Sequence, residues 1–115
     1  MPTKAQLHDL IDRFAGCTAL VVGDLTLDEF MTGFTERISR EAPVLILRHE
    51  HTRQVPGGAA NAAYNLARLG GRVAMAGVVG DDLQGAALRN LLVEAGIDVS
   101  GLVVDPSRPT VTKTR

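Results

Sequence analysis

Two short apolar runs, TALVVGD at 18–24 and RVAMAGVVG at 72–80, constrain the fold more than any other feature of the chain. Each has strand length, and each runs into glycine. A buried parallel strand whose carboxyl end opens into a loop has this form. Parallel strands need a crossover, and AANAAYNLARL at 59–69 reads as a helix whose alanines allow close approach to a sheet. Gly70 stops it. Asp82 caps a second helix that runs to about Ala95, with Gly96 as its stop. GLVVD at 101–105 and PTVTKTR at 109–115 are third and fourth strand candidates. This order predicts an α/β sheet. Ahead of it, Leu7, Leu10, Ile11 and Phe14 fall at helical spacing over Ala5–Phe14, closed by Gly16. VLILRHEHTRQV at 44–55 suggests paired strands in a small sheet apart from the main one. The last strand runs to Arg115, so the chain reads as the front of something longer.

Composition excludes several classes of function. The 115 residues carry a net charge of -1 with no basic block, so nothing points to nucleic acid or an anionic membrane. Aromatics are 3% and Trp is absent, which removes the stacking platforms of a single-strand binder. A lone Cys17 permits no internal disulfide and no thiolate metal cluster, and beside an apolar run it reads as a small buried thiol. No signal-peptide core and no apolar run of membrane-spanning length is present, which predicts a cytoplasmic protein.

The stretch QVPGGAANAAYNLARLGG at 54–71 raises the functional question. Gly57 and Gly58 let backbone approach a ligand closely, at the mouth of a helix. Asn61 adds a donor and an acceptor, which suits the hydroxyls of a polyol. The same residues read equally well as a tight helix-capping turn with Asn61 solvated. In GDLTLDEF at 23–30, Asp24 and Asp28 follow the first strand, and a carboxylate accepts from two neighbouring hydroxyls. A turn cap at Asp24 and a solvated Asp28 explain that stretch as well. His49 and His51 share a strand face without a third ligand and read as solvated. His8 has no partner in view. Neither a G-x-G-x-x-G nor a phosphate-binding G-x-x-x-x-G-K-[ST] motif occurs.

Taken together, PGGAANAAYNLARLGGRVAMAGVVGDDLQG resembles the N-terminal signature of the ribokinase-like sugar kinases, the PfkB family. VVGDLTLDEF is similar to that family's first strand and its sugar-contacting Asp. ERISREAPV at 36–44 and TVTKTR at 110–115 resemble the kinases that act on D-glycero-D-manno-heptose 7-phosphate, on the way to ADP-heptose for lipopolysaccharide. The resemblance implies the N-terminal part of a three-layer α/β sandwich with a small β-lid over about 31–55. By the same resemblance Asp28 holds sugar hydroxyls, Gly57, Gly58 and Asn61 close over the sugar, and Asp24 supports the loop. Arg37, Lys113 and Arg115 would face a substrate phosphate, with plain surface charge as the alternative for each. The family uses ATP and Mg²⁺, and its lid often forms a homodimer contact. Its catalytic Asp lies in a Gly-Ala-Gly-Asp motif that does not occur in this chain. The expectation is therefore an acceptor-sugar half with little activity alone. Two alternatives stay open: a PfkB kinase for fructose, ribose or a nucleoside, or a non-catalytic module that dimerises through its lid.

Overall fold

A computed structural model describes residues 1–115. Thr3 opens helix α1 (Lys4–Asp12) with a reciprocal cap. Its hydroxyl accepts from the Gln6 N–H at 3.2 Å, and its own N–H donates to Gln6 Oε1 at 2.8 Å. Two donors that a helix start leaves unpaired are thereby satisfied. A 3₁₀ turn (Arg13–Gly16) follows, so the periodic stretch ends in a tighter coil than its spacing predicts. Its apolar residues Leu7, Leu10, Ile11 and Phe14 all remain exposed.

Then come β1 (Thr18–Val22), β2 (Leu25–Ile38), β3 (Leu45–Gly58), α2 (Ala59–Arg68), β4 (Arg72–Gly80), α3 (Leu83–Glu94), β5 (Asp98–Asp105) and β6 (Thr112–Thr114). They form two three-stranded sheets. In the first, β1, β4 and β5 lie side by side, all parallel. In the second, β2 is central, antiparallel to β3 and parallel to β6. The stretch 26–55 is thus one long hairpin, with a sheet of its own.

The core lies between the first sheet and α2 with α3. Ala60 and Ala63 of α2 and Leu88 and Leu92 of α3 pack with Val73, Met75, Val79 and Val99 of the strands. Leu25 and Leu27 of β2 join the same cluster, which fastens the second sheet to the first. Gly77 makes that junction possible. A side chain there would occupy the space of the Leu25 side chain and lie 2.6 Å from the Gly23 carbonyl.

Two sequence expectations need correction. The first strand is parallel, as its pattern predicts, but not buried: Thr18, Leu20 and Val22 are exposed. Cys17 is exposed as well. Leu20 and Val22 are exposed because they point away from the core, whereas Ala19 and Val21 between them are half-buried; Cys17 lies at the start of an edge strand. Parallel partners point to the same side, so the register puts Leu20, Val22, Ala74, Ala76, Val78 and Val103 together on the face away from the core. Leu20, Val22 and Val103 are 65%, 72% and 59% exposed, which leaves a continuous apolar surface without cover.

Such a surface drives association. The 115-residue chain is expected to self-associate in analytical ultracentrifugation, and Leu20→Lys to weaken that association; a clean monomer at high concentration would disprove it. Leu27 is fully buried at the sheet junction. Leu27→Ala should lower stability by about 2–5 kcal/mol in urea unfolding, and a loss below about 1 kcal/mol would show the junction to be loosely packed.

Candidate functional site

The pleat of β2 sorts its residues between two faces. Leu25 and Leu27 turn into the core. Thr26, Asp28 and Phe30 therefore share the opposite face. The ladders bring neighbours to that face from both sides. Gly57, Val55 and Arg53 of β3 stand opposite Thr26, Asp28 and Phe30, and Lys113 of β6 stands opposite Asp28. Beyond β6, the Arg115 N–H donates to the Glu29 carbonyl at 2.9 Å and the Met31 N–H donates to the Arg115 carbonyl at 2.8 Å, which extends the ladder by one residue.

Asp28 is the centre of this face. Its Oδ2 lies 3.8 Å from Arg115 Nη1. A Cβ added at Gly57 would sit 2.8 Å from Asp28 Oδ1 and inside the Thr26 hydroxyl. The missing side chain at 57 is thus the room that the carboxylate and the hydroxyl occupy. Gly58 has a different reason to be glycine. It caps α2 at φ 57°, in the left-handed region, with the Asp24 carbonyl 2.6 Å from where a Cβ would lie. That same carbonyl accepts the Ala59 N–H at 2.8 Å. Asp24 therefore holds the start of α2 through its backbone, while its side chain is exposed.

Other residues singled out in the sequence fall further away. Asn61 lies in the first turn of α2, exposed, and its Oδ1 accepts a long hydrogen bond from Asn65 Nδ2 at 3.5 Å. It lines a cleft with Gln54, Val55, Pro56, Tyr64, Asn65 and Leu91. Arg37 lies opposite Ile46, and at about 3.3 Å per residue the nine positions from Asp28 put it roughly 30 Å along the strand. This chain does not bring Arg37 to Asp28. His49 and His51 flank an irregularity at Glu50, where the ladder shifts register. His49 Nε2 is 2.8 Å from Thr52 Oγ1. No group of three or more His, Cys, Asp or Glu side chains is placed to hold a metal ion, so no step is assigned to Mg²⁺ among these residues.

Three residues on or behind this face carry no local sequence signal. Phe30 and Arg53 meet only through the hairpin register, which no local pattern reveals. In the sequence Thr110 is merely part of a strand candidate. Its hydroxyl donates to Asp82 Oδ1 at 2.6 Å, its N–H donates to Asp82 Oδ2 at 2.8 Å, and its oxygen accepts the Gly80 N–H at 2.9 Å. Asp82 also caps α3 by accepting the Gly85 N–H at 2.7 Å. This knot ties the end of β4 and the start of α3 to the segment that delivers Lys113 and Arg115. The Thr110 hydroxyl, then the Thr110 and Gly85 N–H groups, hold the Asp82 carboxyl below its ordinary value.

The face thus holds a carboxylate paired with Arg115, with Lys113 beside it in the ladder and a glycine-opened helix next to it. The profile of the pfkB family carbohydrate kinases matches residues 18–115. The chain belongs to that family. It is 48% identical over 102 residues to the bifunctional protein HldE of Gluconacetobacter diazotrophicus, covering 89% of this chain and 21% of that protein. Among solved structures, a fructokinase with bound ATP from Xylella fastidiosa superposes with a TM-score of 0.67 at 28% identity, over 84% of this chain and 28% of that one. A fructokinase from Vibrio cholerae O395, in fructose, ADP and calcium ion bound form, gives 0.65 at 29% identity, over 87% and 28%. This pfkB chain thus spans about a fifth of the length of the curated relative and under a third of these solved chains.

The Asp82 knot has a pH signature. A carboxylate held below its unfolded value contributes stability fully above that value, about pH 3.9, and loses the contribution as pH falls through the lower folded value. Asp82→Asn should therefore be clearly less stable than the parent in urea unfolding at pH 7. The gap should narrow on acidification below about pH 4. A gap independent of pH would show that the charge on Asp82 is not what matters.

Proposed function

We propose that this chain forms the acceptor side of a sugar kinase that transfers the ATP γ-phosphate to the anomeric hydroxyl of D-glycero-D-manno-heptose 7-phosphate. The observation that carries the reading is the Asp28 carboxylate, pressed against Gly57 and flanked by Lys113 and Arg115. The heptose-kinase likeness of ERISREAPV and TVTKTR supports the choice of sugar, as does 48% identity to a bifunctional protein HldE.

In this reading Asp28 accepts hydrogen bonds from hydroxyls of the sugar, and Gly57 lets the sugar lie flat against the strands. Gly58 and Asn61 close the near side from the mouth of α2, and Asp24 keeps that mouth in place. Lys113 and Arg115 counter the charge of a phosphorylated acceptor. The outer hairpin, about residues 31–55, covers the sugar and keeps water from the transferring phosphate. It exposes Phe34, Ile38, Val44, Leu45 and Leu47. Ile38, Leu45 and Leu47 share one face in the register, and we assign that apolar strip to a homodimer contact. ATP and Mg²⁺ supply the phosphoryl group and its charge neutralisation. No residue of this chain is assigned to either, and the isolated chain is proposed to turn over little. An ATP-dependent reaction of this kind belongs in the cytoplasm.

The test is ADP release by the full-length protein against a panel of heptose 7-phosphate, fructose, ribose and nucleosides. The heptose phosphate should be the preferred acceptor. Asp28→Asn should lower kcat/KM by about 10–100-fold, the cost of losing a charged hydrogen-bond acceptor. Phosphorylation of a free pentose but not of the heptose phosphate would exclude this choice of substrate. Turnover by the 115-residue chain at an ordinary kinase rate would exclude the division of labour.

A further inference from the structure

We infer that Arg53, set across Phe30 from Arg115, is a specificity residue that selects an acceptor carrying a phosphate. The inference rests on the sugar-kinase reading above and names what distinguishes its substrate. Arg53 lies opposite Phe30 in the β2–β3 ladder, with its Cζ 5.1 Å from the ring centroid. The Arg115 Cζ lies 5.2 Å from the same centroid. One ring thus carries two guanidinium groups, which repel each other. Cation–π attraction offsets part of that repulsion and holds each group in place.

The two arginines differ in their partners. Arg115 reaches the Asp28 carboxylate, whereas Arg53 forms no ion pair. An unpaired guanidinium on an open face keeps its planar fork of donors free, a geometry matched to phosphate oxygens. Charge agrees with shape. Arg53, Lys113 and Arg115 stand against the single carboxylate of Asp28, leaving two positive charges on the face. A phosphate monoester carries close to two negative charges at neutral pH.

Spacing completes the case. Phe30 lies two residues beyond Asp28, about 7 Å along the strand. A sugar whose hydroxyls meet Asp28 beside Gly57 would place a phosphate on its far end between the arginines. A sugar without that phosphate leaves the pair unfilled.

The test uses the full-length protein and its steady-state kinetics. Arg53→Ala should raise the KM for heptose 7-phosphate about 10–100-fold while kcat changes less than about threefold. The KM for ATP should stay the same, and so should the KM for the heptose lacking its phosphate. Arg53→Lys should recover little, because an ammonium does not reproduce the fork. Inorganic phosphate should compete with the sugar phosphate in the parent and compete more weakly in Arg53→Ala. Thermal melting checks that the variants fold, as expected for an exposed side chain. If the parent uses the heptose phosphate and Arg53→Ala keeps its KM, the role of Arg53 is wrong and the kinase reading stands. An equal rise in KM for phosphorylated and free sugar would also overturn it. A parent that accepts only free sugars overturns the substrate reading and this inference together.

Discussion

The two-residue pleat of β2 is the constraint on which the rest depends. Leu25 and Leu27 are buried in the core, so the residues between and beyond them must face the other way. A one-residue slip would send Asp28 into the core and expose two leucines. The hydrophobic anchor therefore sets the direction of the carboxylate. Packing at Gly77 reinforces the register, since the Leu25 side chain fills the space that any larger residue there would need. Stability and site geometry are two faces of one strand.

The ladders on either side of β2 turn this direction into a candidate site. From β3 come Gly57 and Arg53, and from β6 comes Lys113, followed by Arg115. These residues are dispersed over more than sixty positions, and none touches another by local geometry. β6 is short, and besides its ladder to β2 it is tied down by the Asp82–Thr110 knot outside the second sheet. Helix capping and site assembly thus share one carboxylate.

Much of the fold was legible because its signals are local. The cap at Asp82, the stops at Gly70 and Gly96 and the crossover helices all follow from residues a few places apart. The glycine pair could be seen but not interpreted: one residue yields room to a carboxylate, the other adopts a positive φ beneath a carbonyl. What was not legible is non-local. An apolar run cannot announce that its strand will lie at a sheet edge with one face uncovered, which is why Leu20, Val22 and Cys17 are exposed. Hairpin register depends on two irregularities, near Thr32/Gly33 and Thr35/Arg37, that no alternation pattern marks. Without the register, Phe30 and Arg53 are simply two residues 23 positions apart.

The hairpin has a mechanical side. Each of its strands is 14 residues long, so it is a blade roughly 45 Å in length. Only its root is fastened, through Leu25 and Leu27, and the Asp28 face begins at that root. A blade clamped at one end is a lever. A small tilt at the root becomes a large sweep at the tip, and a load on the tip returns to the root as torque. The pair across Phe30 sits near the fulcrum, where such a torque changes distances least.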